Sequence, residues 1–174
     1  MFNVNLKELN FLVGKISGEI VISASRIHGS YFMLEIGEPH LQVREPLSNT
    51  THSPNSAASR LRRRQARVVG DWTFSVSDSN WEFFDGDDTV KSTSDGDKID
   101  EFFAILTGQR LKEISVAENF HTVLAFDEGA RLELRPDPEL PNEDQWRLYS
   151  FIGLSFGITN DGIADVDFSG FNRK

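Results

Sequence analysis

The pentapeptide Gly153-Leu154-Ser155-Phe156-Gly157 is the part of the chain that comes closest to a catalytic motif. It matches G-x-S-x-G, in which a serine on a sharp turn between a strand and a helix acts as the nucleophile, with an acid and a histidine later in the chain. Here the last histidine, His121, precedes Ser155. The serine also falls inside an alternating strand pattern that another strand follows. We interpret Ser155 as an ordinary strand residue and predict no catalytic residue.

Cation binding is a second candidate chemistry, because residues 85–101 hold seven carboxylates and two lysines. An EF-hand loop that began at Asp95 would need glycine and glutamate where the chain has Asp100 and Leu106. The chain has no cysteine, which excludes thiolate ligands and nucleophiles. Metal-ligand spacing is also missing from the four histidines, which are His28, His40, His52 and His121. The sequence therefore predicts no metal site and no cofactor.

A basic run is the strongest candidate for binding. Its five arginines are Arg60, Arg62, Arg63, Arg64 and Arg67. The planar fork of arginine suits two-point contacts with carboxylate or phosphate, so these residues are predicted to bind an anion or an acidic protein. The alternative is a solvated insertion that folds back on the acidic loops of the same chain. That alternative is favoured, since the acidic loops are already present.

Charge and hydropathy limit the function classes. The net charge of −9 repels the nucleic acid backbone at long range, which disfavours nucleic acid as the main partner. Binding of nucleic acid through the arginine run stays open as a third hypothesis. No apolar run approaches the roughly 20 residues that a membrane-spanning helix needs, and the N-terminus does not resemble a signal peptide. These features predict a cytoplasmic protein, monomeric or homodimeric, that does not contact a membrane.

The elements around these residues follow an internal repeat. Leu12-Val13-Gly14 is matched by Leu106-Thr107-Gly108, and Trp72–Asp78 is matched by Leu154–Asn160. We predict two structural repeats, 1–90 and 91–174, packed as one globular unit, with a loop at 47–67 inserted in the first. Leu12 and Leu106 are then expected to be equivalent core anchors, each worth about 2–5 kcal/mol against alanine.

Each repeat opens with a short helical pattern, and period-two patterns follow it. In the clearest of these, Trp72, Phe74 and Val76 alternate with small polar residues. The predicted fold is mainly β (α+β), with about ten antiparallel strands and two short helices. The strands are expected to form a sandwich or a barrel with an internal pseudo-two-fold axis.

Four short motifs resemble those of small uncharacterised bacterial β-rich domains. They are Leu-x-Gly, the hairpin turn Asp127-Glu128-Gly129, an alternating Leu-x-Leu strand and Trp146-Arg147-Leu148. Some of these domains are assigned as immunity proteins of toxin systems, and the resemblance carries no catalytic residues. Together with the acidic charge, it implies a non-catalytic protein that binds another protein, such as a basic toxin. The alternative is a small-molecule binder or enzyme that uses a cleft between the two repeats.

Overall fold

The computed structural model describes residues 2–46, 63–77 and 79–168, which form two α-helices and fourteen strands. The helices are α1 (Leu6–Val13), followed by a 3₁₀ turn at Gly14–Ile16, and α2 (Gly96–Leu106). The strands are β1 (Phe2–Val4), β2 (Val21–His28), β3 (Tyr31–Ile36), β4 (His40–Arg44), β5 (Gln65–Val69), β6 (Trp72–Val76), β7 (Asn80–Asp85), β8 (Asp88–Lys91), β9 (Leu111–Val116), β10 (Thr122–Phe126), β11 (Arg131–Arg135), β12 (Asp144–Ser150), β13 (Ser155–Thr159) and β14 (Ala164–Asp167).

The strands form antiparallel sheets that are stacked as in a sandwich. A seven-stranded sheet has the order β1-β14-β13-β12-β6-β3-β2, and a five-stranded sheet has the order β8-β7-β11-β10-β9. Strands β4 and β5 pair only with each other and form a separate hairpin, which we call the arm. The mainly β prediction with antiparallel strands and two short helices is confirmed, and the sheets do not close into a barrel.

The described strands outnumber the ten that were expected because β1, β5, β8 and β12 were not predicted. Strand β5 corrects the predicted loop at 47–67, because Gln65–Val69 is extended and pairs with β4. Four of its five residues are exposed, so the strand lacks the buried alternation on which the sequence prediction relied. Neither helix within the described residues is long and apolar enough to cross a membrane.

The core lies between the two sheets and beneath the helices. Alternate residues of β6 and β13 enter it, including Phe74 and Phe156, while Thr73 and Ser75 point to the opposite face. Phe74 stacks on Trp146 with ring centroids 5.3 Å apart. These aromatic side chains exclude water from one face of the seven-stranded sheet and leave its other face polar.

The starts of β2 and β9 contact each other through reciprocal backbone bonds. The amide of Gly18 donates to the carbonyl of Leu111 over 2.6 Å, and the amide of Gly108 donates to the carbonyl of Val21 over 2.8 Å. Gly18 and Gly108 both have positive φ, at 89° and 97°, whereas Gly14 is right-handed helical at −58°. In this backbone Gly18, and not Gly14, is the counterpart of Gly108. The duplication itself stays a prediction.

The same four-residue shift, from Gly14 to Gly18, changes the expected core anchor of the predicted first repeat. Leu106 at the end of α2 is fully buried, and its counterpart by position is Ile16 in the 3₁₀ turn, which is also fully buried. Leu12 is only partly buried at the edge of the core. In the predicted first repeat, α1 is continued by the 3₁₀ turn at Gly14–Ile16. The buried anchor is therefore Ile16, four residues after Leu12.

A candidate binding groove beneath the arm

The arm continues a ribbon that starts inside the seven-stranded sheet. Strands β3 and β6 pair up to Ile36 opposite Trp72, and β4 and β5 resume the pairing at His40 opposite Val69. Between them, residues 37–39 and 70–71 bend the ribbon. The bend lays one face of the arm over the polar face of the sheet, so that a groove forms between the two.

Gly70 makes this bend possible. A Cβ atom at this position would overlap the backbone of Ile36, so only glycine allows the two segments to approach so closely. The amide of Gly70 donates to the Glu35 carboxylate over 3.1 Å, and the Thr73 hydroxyl donates to the same oxygen over 2.7 Å. Glu35 is 5% exposed. Its carboxylate therefore ties the bend to the sheet by satisfied buried hydrogen bonds.

His40 and Asp71 fasten the base of the arm. His40 Nε2 lies 2.6 Å from Asp71 Oδ1, and the amide of Glu38 donates to Asp71 Oδ2 over 2.9 Å. The hydrogen bond with His40, followed by the Glu38 amide, lowers the pKa of Asp71 below its ordinary value. The His40 ring also stacks on Phe151, with centroids 4.2 Å apart and planes 8° from parallel. These contacts join the arm to the turn between β12 and β13.

The groove has a volume of about 450 Å³, which lies within the range of small-molecule sites. The arm supplies one wall with Gln42, Arg44, Arg67 and Val69. The sheet supplies the floor, and the turn between β12 and β13 closes the end near Phe151. The lining comes from both predicted repeats. A ligand site in a cleft between the repeats is the alternative that the sequence left open, and it stays a prediction.

The floor is a cross-strand row of polar side chains. Thr73 lies opposite Tyr149, Tyr149 lies opposite Ser155, and Ser155 lies opposite Asp167. Ser155 begins β13, and the next element is strand β14, so the helix of a nucleophile elbow does not follow it. Its hydroxyl is one of the polar groups that line the groove.

Arg147 holds the strands of the floor together. Its guanidinium bonds to both oxygens of Asp165 and both oxygens of Asp144, at 2.9–3.0 Å, and its side chain is 11% exposed. The hydrogen bonds that Arg147 donates to Asp165 and Asp144 raise its pKa above the ordinary value. The charge of Arg147 is thereby neutralised inside the sheet and adds rigidity to it.

The two arginines of the wall have no such carboxylate partner. Arg67 donates from Nε to Gln42 Oε1 over 2.8 Å. Among the described residues, no carboxylate pairs with Arg67 or with Arg44. The wall of the groove therefore carries two arginines that are in no ion pair with the described carboxylates, and the lining also contains one carboxylate, that of Asp167.

The predicted binding arginines separate in the structure. Arg67 lines the groove, whereas Arg64 pairs with Glu45 at 3.0 Å. Arg63 is exposed just before β5. Arg60 and Arg62 lie outside the described residues. The partner of Arg64 is therefore not among the acidic residues of 85–101, one of which, Asp100, instead pairs with Arg26 at 2.9 Å.

Sequence reasoning missed Arg44, Tyr149 and Phe151. In strand β4, residues two apart share a face, so the sequence could have placed Arg44 on the same face as Gln42 and His40. It could not have shown that this face lies over the sheet. Within the described residues, no group of three or more histidine, aspartate and glutamate side chains is arranged to hold a metal ion.

Comparison with known proteins found no relative of this chain. No protein-family model matches the chain. No curated protein matches it, and no solved structure matches it. A function is therefore inferred from the side chains that line the groove.

Proposed function

We propose that the protein is a non-catalytic binding protein and that the groove beneath the arm holds a small anionic molecule. The observation that carries this proposal is the pair Arg44 and Arg67, which line the groove without a carboxylate partner among the described residues. Arginine in such a position keeps its donors available for a carboxylate or phosphate.

The register of the arm supports one shared anion site. Arg67 lies opposite Gln42, and Arg44 lies two residues beyond Gln42 on the same face. Such diagonal neighbours have Cβ atoms about 7–8 Å apart, which two long side chains bridge to a common anion. Gln42 lies beside both and holds Arg67 in place through its 2.8 Å hydrogen bond.

The groove is also preformed. His40 and Asp71 fix the arm, and Arg147 with its two aspartates fixes the floor. A ligand therefore meets walls that need little ordering, which reduces the free energy that binding must supply. The chain's net charge of −9 works in the opposite direction at long range, so added salt weakens both the repulsion and the local attraction.

The predicted protein partner, including an immunity-type role, stays a prediction. A basic toxin would be attracted by the net acidic charge, whereas the groove offers cations. The two hypotheses therefore differ in the sign of the ligand's charge. Recovery of a basic protein from the native lysate, with affinity unaffected by changes in Arg44 and Arg67, would favour the partner over the groove.

The proposal is tested by titrating ¹⁵N-labelled protein with sodium phosphate at constant ionic strength and following backbone amide shifts. We expect saturable shifts centred on β4, β5 and the turn at 150–154, with a dissociation constant of about 1–10 mM, the range of weak fragment-like binding. The double variant Arg44→Gln/Arg67→Gln should weaken binding at least about ten-fold, which corresponds to about 1.4 kcal/mol.

Arg64→Gln is the matched control. It removes one positive charge next to the arm, but Arg64 is paired with Glu45 and does not line the groove. Its phosphate affinity should equal that of the wild type. Shifts that do not saturate, that lie away from the groove, or that persist in the double variant would overturn the proposed function.

A further inference from the structure

We propose that the ligand of the groove is a ring-bearing phosphate or carboxylate, with its ring against Phe151 and its anionic group between Arg67 and Arg44. This inference rests on the proposed function, because it assigns the two ends of the same groove to two parts of one molecule. The volume of about 450 Å³ supports it, since a lone anion fills only a small part of that space, a water molecule in the liquid occupying about 30 Å³.

Phe151 is held as a platform at one end of the groove. The His40 ring covers one side of it at 4.2 Å, and the amide of Phe151 donates to the carbonyl of Asp71 over 2.7 Å. Even so, Phe151 remains 47% exposed and lines the groove. A large apolar ring kept exposed by fixed contacts is suited to stacking with a flat partner.

The arm places its cations at increasing distance from this platform. On its inner face the pairs run from His40 and Val69 at the base to Gln42 and Arg67, and then to Arg44 and Gln65. Each step of two residues advances about 7 Å along a strand. The backbone of Arg67 is therefore one such step, and that of Arg44 two such steps, from the His40–Val69 pair beside Phe151.

The floor between the two ends offers hydroxyl groups. Thr73, Ser75 and Ser155 line the groove. The hydroxyls of Ser75 and Ser155 can donate or accept a hydrogen bond, whereas the Thr73 hydroxyl already donates to Glu35 and can only accept one. This polarity suits ester, ether or sugar atoms that join a ring to an anionic group. It does not suit a wholly apolar molecule, which would leave these groups without water or a partner.

The test compares pairs of probes that differ only by the ring: phenyl phosphate with inorganic phosphate, and benzoate with acetate. Adenosine monophosphate serves as a longer probe that places a sugar between the ring and the phosphate. Affinities are measured by the same amide-shift titration of the full chain. We expect the ring-bearing member of a pair to bind at least about five-fold tighter, as stacking on an aromatic side chain produces.

Phe151→Ala should reduce this preference to about one, because it removes the aromatic face on which the ring of the probe stacks. Phe151→Trp should retain it, because indole also presents a flat face. Ile152→Ala is the control, since Ile152 is the exposed apolar neighbour and does not line the groove. If Phe151→Ala fails to fold, Phe151→Leu preserves apolar bulk at the site and removes only the aromatic face.

The outcomes separate the two proposals. Equal affinity within each pair, together with phosphate binding that depends on Arg44 and Arg67, would overturn the ring inference and leave the proposed function standing. A ring preference that survives in Phe151→Leu would overturn the assignment of the ring to Phe151. Failure of every anionic probe to bind at the groove would overturn both.

Discussion

Asp71 connects three segments at the base of the arm. Its carboxylate binds the His40 ring and the Glu38 amide, and its backbone carbonyl accepts the amide of Phe151. The first two contacts hold the arm, and the third holds the turn that closes the groove. Both walls therefore depend on contacts of one residue, and the contacts that hold the arm depend on its carboxylate.

We expect the substitution Asp71→Asn to produce a stability loss that depends on pH. Contacts with His40 and Glu38 lower the pKa of Asp71 in the folded chain. Its charged form therefore contributes stability above the unfolded pKa of about 3.9, and this contribution is lost as the pH falls through the folded value. The difference in unfolding free energy between wild type and variant should be largest near neutral pH and shrink below about pH 4.

Urea unfolding followed by tryptophan fluorescence from pH 7 to pH 2.5 measures this difference. Glu128→Gln serves as the control, because Glu128 is exposed on a hairpin turn. Its effect on the unfolding free energy should be small at every pH. A difference for Asp71→Asn that is constant across the range would contradict the assigned role of the carboxylate.

Individual residues show why the groove was only partly predictable. Arg67 was found from the sequence because it belongs to a dense run of arginines. Arg44 and Phe151 have no such local signal, and they reach the groove only through the pairing of β4 with β5 and through the bend at Gly70. The close approach of Gly70 to Ile36 depends on a contact between positions 34 residues apart, which composition and spacing do not contain.

At the scale of elements, the alternation of apolar and polar residues was sufficient to predict a strand where one face of that strand enters the core. Strands β6 and β13 were predicted for this reason, and their inward residues Phe74 and Phe156 are buried. In the arm, β4 was predicted from the sequence although its apolar residues Leu41 and Val43 are exposed. Strand β5 was not predicted, because four of its five residues are exposed and its pairing with β4 is a long-range contact.

The contacts between β2 and β9 match Gly108 with Gly18, whereas the alignment of the two sequence repeats matches it with Gly14. The two matches predict different effects of alanine at these glycines. Gly18 and Gly108 have positive φ, and their amides donate to the carbonyls of Leu111 and Val21. Gly14 is helical and has open space around its Cβ position. Gly18→Ala and Gly108→Ala should each lower the unfolding free energy by about 1–2 kcal/mol, because a side chain disfavours the left-handed conformation.

Gly14→Ala should be neutral or stabilising by about 0.4–1 kcal/mol, since its φ of −58° accepts a side chain. Chemical denaturation of the three single variants provides the comparison. If Gly14→Ala lowered the unfolding free energy as much as Gly108→Ala, the result would support the alignment of Gly14 with Gly108. It would contradict the match of Gly108 with Gly18 that the backbone contacts indicate.

The whole molecule interleaves its two predicted repeats. In the seven-stranded sheet β12 pairs with β6, and in the five-stranded sheet β11 pairs with β7. Each sheet is therefore completed by strands from both halves, and the aromatic core lies between the sheets. The sequence indicated one globular unit, but strand order across the halves depends on long-range pairing that the repeat pattern does not specify.

This arrangement predicts that neither half folds alone. Fragments cut after Ser92, which keeps β8 intact, would each expose a strand edge and an apolar sheet face that the other half covers in the full chain. Residues 1–92 and 93–174 should separately lack near-ultraviolet circular dichroism and a cooperative thermal transition. An equimolar mixture should recover both signals, and the intact chain should show one transition by far- and near-ultraviolet probes. A cooperative transition in either isolated fragment would show that its repeat is an independent domain, and the groove would then lie between two separately folded units.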